Sequence, residues 1–239
     1  MESPLTKPTD TFWNLPADKR GRILAEAAEE FAAKGYAKAS LNAVVRRLGI
    51  AKGSVYQYFA NKEALFLFVF EELTREVKRS LTAALAALPE QELRSSLREA
   101  LFCGMRFIDQ HPAFFRLYLR IVSEDDLPHR EQLLARVRLF SRDFFLPLCT
   151  AAQAAGQLEA RLDPEAMAFV LDAVFDRFLQ SYAAPSPGVS FSRPEGADWT
   201  SRVQQLLDVF SMAWQTGEAA GDGRDADRPA AAPCLAALS

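Results

Sequence analysis

The sequence predicts an all-α protein of about nine helices, with a three-helix helix-turn-helix unit at its N-terminus and a larger helical body behind it. Three observations lead there. Apolar residues recur three and four apart along most of the chain; Gly, Pro, Ser, Asn and Asp stand where those stripes begin and end; and no alternating apolar and polar run of strand length occurs. A chain of 239 residues, 49% of them hydrophobic, has the material for a real core.

The elements follow in order. Residues 1–15 mix Pro, Thr and polar groups and are expected to form a flexible arm, with Phe12 and Trp13 able to pack on the first helix. Pro16 suits a first helical turn, and Ile23, Leu24, Ala27, Ala28 and Phe31 carry the stripe to Gly35, a glycine suited to a left-handed cap. Ser40 is placed to cap the second helix, in which Leu41, Val44, Val45 and Leu48 face inward. Gly49 supplies the positive φ of a tight turn with Ile50 as its apolar plug. A short third helix then covers about Lys52 to Phe59, Val55 and Phe59 inward, and Lys52, Ser54, Tyr56, Gln57 and Tyr58 outward.

Asn61 caps a longer fourth helix with Ala64, Leu65, Phe68, Val69 and Leu73 on its apolar face, and this helix joins the two parts of the protein. The fifth carries Leu93, Leu97, Leu101, Gly104, Phe107 and Ile108 and stops at His111-Pro112. The sixth, about Ala113 to Ser123, is apolar nearly all round apart from Arg116 and Arg120 and is expected to be central. Leu133, Val137, Phe140, Phe144 and Leu148 line the seventh, which Pro147 bends and Gly156 ends. Met167, Val170, Leu171, Val174, Phe175 and Phe178 mark the eighth, after Asp163-Pro164, and Val203, Leu206, Leu207, Phe210 and Trp214 the ninth. The stretch from Ala183 to Asp198 reads as a loop, and 217–239 as a disordered tail.

Charge is distributed unevenly. Residues 1–62 hold ten Lys and Arg against six Asp and Glu, a net of +4, which leaves 18 against 25, or −7, for the rest. From Phe31 through Lys62 there is no carboxylate and there are six cations, Lys34, Lys38, Arg46, Arg47, Lys52 and Lys62. A basic helix pair in an acidic chain is what a phosphate-facing surface requires. No apolar run is long enough to span a bilayer and the N-terminus has no signal-peptide core, so a cytoplasmic, nucleoid-associated protein is expected. Three widely spaced cysteines and two histidines argue against a disulfide framework and a metal site; Cys103 and Cys149 read as small core residues.

The residues Ile23-Leu24, Ala27-Ala28, Phe31, Gly35-Tyr36, Ser40-Leu41, Val44, Leu48-Gly49-Ile50, the run Lys52 to Phe59 and Asn61-Lys62-Glu63-Ala64-Leu65 resemble the DNA-binding domain of the tetracycline-repressor (TetR) family. The ordered match covers about a fifth of the chain. The resemblance implies domains at 16–62 for DNA binding and 63–216 for ligand sensing and dimerisation. It also implies a homodimer on double-stranded operator DNA that a small, largely apolar effector releases, with no cofactor. Ala51 departs from it, standing where many relatives carry a Ser or Thr cap.

The expected DNA-binding residues are Ser40, Arg46, Lys52, Gly53, Ser54, Tyr56, Gln57, Tyr58 and Lys62. Gln57 is the base reader, since Gln can bond adenine bidentately; Tyr58 and Lys62 are phosphate anchors. Phe107, Tyr118, Phe144 and Phe175 are candidate effector-lining residues, with ordinary core packing as the competing reading. Val170, Val174, Phe178, Leu207, Phe210 and Trp214 are the expected dimer interface. An enzyme is the rival class, prompted by Glu124 and Asp125 near His129, but no phosphate loop, nucleophile elbow or metal triad accompanies them. Two further readings compete with a ligand-released repressor: a helical protein-interaction module with a vestigial head, and an activator without small-molecule control.

Overall fold

Helices account for all the regular structure of the described residues, which are 8–88, 92–125, 127–183 and 198–214, with backbone alone at 136–141 and 212–214, in a computed structural model. They are α1 (Asp10–Trp13), α2 (Ala17–Lys38), α3 (Leu41–Leu48), α4 (Ser54–Tyr58), α5 (Lys62–Ala86), α6 (Leu93–Gln110), α7 (Pro112–Ser123), α8 (Arg130–Ala154), α9 (Pro164–Ala183) and α10 (Trp199–Trp214). The all-α expectation holds. The count exceeds nine because part of the expected arm folds: Phe12 of α1 is 1% exposed. Its ring lies among those of Tyr58, Phe59 and Phe68.

Glycines set two turns. Gly49 is left-handed at φ 68°, ψ 28°, and its N–H and that of Ile50 donate to the carbonyls of Arg46 and Val45, closing α3 as the sequence predicts. Gly35 also has positive φ, 71°, but with ψ 164° it breaks α2 rather than ending it, and one further turn runs to Lys38. The carbonyls released at this break are satisfied from α7: Arg120 donates to Ala32 O (2.6 Å) and Ala33 O (3.2 Å) and pairs with Glu124. One turn earlier Arg116 meets Glu29 at 2.7 Å. The two cations of α7 therefore face α2, and α7 is not the most enclosed helix. That place belongs to the start of α5, where Ala64 to Phe70 are all buried. Asn61 caps this helix as predicted, accepting from Ala64 N–H at 2.8 Å.

Two apolar clusters form. One joins α1 to α4 with the first half of α5 and with Phe107, Phe114, Leu117 and Ile121, so the core runs past residue 62 into the body without a break. Phe114 touches both Phe70 of α5 and Phe107 of α6. The other fills the space between α6, α8, α9 and α10. Arg94 ties α6 to α10 through Leu207 O (3.0 Å), Ser211 Oγ and Asp208 (both 2.5 Å). α8 continues through Pro147, and Gly156 at φ 71° follows its end. Cys103 and Cys149 are buried as expected, and burial pushes the Cys149 thiol up to about 11. The expected loop after Ala183, the tail at 217–239, Cys234, and the side chains of Val137, Phe140 and Trp214 lie outside the described residues. Among those described, no helix is long and apolar enough to cross a membrane.

Candidate nucleic-acid interface

Burial sorts the residues of α3 and α4 into two faces. Leu41, Val44, Val45, Val55 and Phe59 are inside the head. Arg46, Lys52, Gly53, Tyr56 and Gln57 are exposed, Tyr56 by 55%, and Ser40 and Ser54 are half-buried. The outward set thus combines two cations, an amide, a phenol and a glycine whose backbone nothing crowds. These are groups for phosphate contact and for base edges.

Two predicted anchors sit differently. Tyr58 is 6% exposed, because α1 covers it and Phe12 packs edge-on to its ring at 6.2 Å. Lys62 is turned onto the end of α2: its ammonium donates to Tyr36 O (2.8 Å), Ala37 O (3.1 Å) and Ala39 O (3.4 Å) and lies 4.7 Å from the Tyr36 ring centroid. An ammonium has three donors and all three have acceptors here. In this geometry Tyr58 and Lys62 hold the head together rather than standing out as phosphate anchors.

The carboxylate-free window is likewise less basic in space than in sequence. Arg47 binds Glu26 at 2.6 Å and Glu30 at 2.8 Å, both from α2. The other oxygen of Glu30 accepts the N–H of Ser40 at 3.0 Å, so this buried carboxylate and not the Ser40 hydroxyl organises the start of α3. Burial alone would raise the Glu30 pKa; the Arg47 and Ser40 hydrogen bonds and the charges of Arg47 and Lys34 bring it below the ordinary value. Sequence reasoning also missed the clamp on the far end of α4. Thr9 donates its hydroxyl to Gln57 O (2.5 Å) and its N–H to Tyr58 O (3.0 Å). Its only sequence signal is a Thr one residue before a short turn containing Phe12.

The rival catalytic trio has structural partners. Glu124 pairs with Arg120, Asp125 lies 3.6 Å from Arg130, and His129 meets Glu63 at 2.7 Å. The aromatic quartet does not converge on one site: Phe107 belongs to the head-side core, Phe144 and Phe175 to the body core, and Tyr118 donates to Asp176 at 2.8 Å. Of the expected interface residues, Phe178, Leu207 and Phe210 are buried within the protomer's own core, Val174 is half-buried, and Val170 is exposed. Phe169 and Val209, which helical spacing did not single out, are 73% and 62% exposed.

A short helix pair, its exposed polar face backed by an apolar core and carried on a helical body, is a helix-turn-helix unit of the kind that meets DNA. Residues 23–69 match the profile of the bacterial regulatory proteins, tetR family, so the head of this chain is similar to theirs. It is 29% identical over 126 residues to the HTH-type transcriptional activator FasR of Mycolicibacterium smegmatis, covering 52% of this chain and 55% of FasR. It is 25% identical over 197 residues to the probable acrEF/envCD operon repressor of Escherichia coli K12, covering 80% of this chain and 86% of that one. The match thus spans about half the length of FasR and most of the length of the second. Among solved structures, a TetR family transcriptional regulator from Chloroflexus aurantiacus superposes with a TM-score of 0.61 at 28% identity, over 87% of this chain and 98% of its own.

Proposed function

We propose that the chain is a homodimeric repressor that binds operator DNA through α3 and α4 and leaves it when a small molecule binds the body. The observation that carries this reading is the exposed face of the reader, on which Arg46, Lys52, Gly53, Tyr56 and Gln57 stand outward; Arg46 and Lys52 would meet phosphate, Gly53 would let the backbone approach the duplex, and Tyr56 and Gln57 would face the base edges. Ser40 and Ser54, half-buried, are placed to add hydroxyl contacts at the two helix starts.

Dimerisation is supported by the outer face of α9. Ala166, Phe169, Val170 and Ala173 are exposed at helical spacing, and Val209 of α10 is exposed as well. Exposed side chains of this size at one spacing are unusual on a monomer and are buried when two copies pair α9 and α10 into a four-helix contact. Two heads held at a fixed separation bind together only when that separation matches successive major grooves, about 34 Å or a multiple.

The test is binding of the chain's own upstream DNA at several salt concentrations. With Arg46 and Lys52 from each of two heads neutralising phosphate, affinity should fall roughly hundredfold between 50 and 200 mM salt. A chain that sediments as a dimer yet ignores that DNA would instead support the protein-interaction reading. Loss or gain of transcription from that promoter on deleting the gene separates activator from repressor.

A further inference from the structure

We infer that the effector is an organic cation with aromatic or aliphatic bulk, and that its seat is the corner where the ends of α6 and α9 meet the starts of α7 and α10. This rests on the reading of the chain as a ligand-controlled regulator and adds the ligand's charge and location. Ile108, Asp109, Pro112, Tyr182, Ala183 and Trp199 line a cavity of about 440 Å³ there, within the size range of small-molecule sites.

The lining selects for charge. Ile108, Pro112 and Ala183 offer only apolar contact, and Trp199 and Tyr182 add aromatic walls whose rings meet edge to face at 5.0 Å. Phe178 backs Trp199 at 5.7 Å, which fixes the indole. Among the described lining residues the one formal charge is the Asp109 carboxylate. Two helix C-termini and two helix N-termini border this corner, so no single helix end dominates it, and among the described lining residues Asp109 supplies the charge. The Tyr182 hydroxyl lies 2.8 and 2.7 Å from the two Asp109 oxygens. One hydroxyl proton engages one of a carboxylate's roughly four acceptor positions, so Asp109 is oriented by Tyr182 and still able to meet a cation. A carboxylate beside electron-rich rings favours an ammonium, phosphonium or guanidinium group and repels a carboxylate or phosphate.

The corner is also placed to be felt by the head. Pro112 opens α7, whose Phe114 packs against Phe70 of α5, and whose Arg116 and Arg120 grip α2. A ligand wedged between Ile108 and Pro112 therefore presses on the helix that contacts both α5, the connector, and α2 of the head.

The experiment uses the full chain and two probes of nearly identical shape and opposite charge, tetraphenylphosphonium and tetraphenylborate, in sodium buffer. Calorimetry on the wild type should give at least about tenfold tighter binding of the cation, as a partly solvated opposite charge plus aromatic contact provides. Asp109→Asn, which keeps an acceptor for Tyr182, should bring the two probes to within about twofold. Tyr182→Phe, which keeps the charge and removes only the orienting hydroxyl, should retain the preference for the cation. Saturating tetraphenylphosphonium should release upstream DNA from the wild type. Equal binding of both probes, tighter binding of the borate, or a preference untouched by Asp109→Asn overturns the inference. Tight, Asp109-dependent cation binding that leaves the DNA bound overturns the effector role. Ligand-free protein that does not bind the DNA at all overturns the regulator reading itself, whatever the calorimetry shows.

Discussion

Removing the Glu30 carboxylate tests how the head is held. Glu30 is 6% exposed and accepts from Arg47 at 2.8 Å and from Ser40 N–H at 3.0 Å. A buried hydrogen bond to a charged partner contributes about 1.5–3 kcal/mol and a neutral one about 0.5–1.5. Arg47 is 37% exposed and keeps Glu26 as a second partner, so its share belongs at the low end. Glu30→Ala should therefore cost about 2–4 kcal/mol, and Glu30→Gln, which keeps an acceptor for Ser40 but loses the ion pair, about 1–2. The assay is denaturant unfolding at fixed protomer concentration, since the proposed dimerisation would link stability to concentration. The sign with pH follows from the depressed pKa of Glu30: its contribution is complete above the unfolded value near 4.5 and disappears as pH falls through the lower folded value. Glu30→Ala should thus show a weaker acid destabilisation below pH 4.5 than the wild type. A Glu30→Ala loss under 0.5 kcal/mol, or an acid limb as steep as the wild type's, would show that this carboxylate does not organise the start of α3.

Other substitutions probe separate parts of the fold. Phe12→Ala, at a ring in contact with four other aromatics, should cost about 3–5 kcal/mol by unfolding and loosen α4; a small change would mean that α1 is dispensable. Gly35→Ala places a methyl at φ 71°, 3.3 Å from the Glu124 carboxylate, and should cost roughly 1–3 kcal/mol in melting experiments. Phe169→Asp, on the exposed face of α9, should give a monomer in sedimentation with an unchanged circular dichroism spectrum, whereas a persisting dimer would place the interface elsewhere.

What the sequence shows and hides follows interaction range. The stripes of α2, α3, α5 and α6, the Gly49 turn and the Asn61 cap are local, set by residues within about four positions, and all were legible. The partners of Arg47, Lys62 and Thr9 lie 17 to 48 residues away, and helical spacing says only that a side chain points out, not what waits there. Tyr58 shows the same limit: a five-residue helix has too few turns to define its inner face, and the ring is covered from α1. On α9 and α10 the apolar stripe serves two surfaces. Periodicity located it but could not separate Phe178, Leu207 and Phe210, which fill the protomer, from Phe169 and Val209, which lie outside it.

The central claim is that the exposed face of α4 reads sequence while the flanking cations supply affinity. The direct measurement is the affinity ratio between the bound upstream site and scrambled DNA, taken across a salt series for Gln57→Ala and Lys52→Ala. Gln57→Ala should shrink the ratio by about 1–3 kcal/mol per half-site with the salt slope intact. Lys52→Ala should weaken both DNAs alike and flatten the slope by about one ion per head. A ratio unchanged by Gln57→Ala, or a specificity loss from Lys52→Ala alone, would contradict the account.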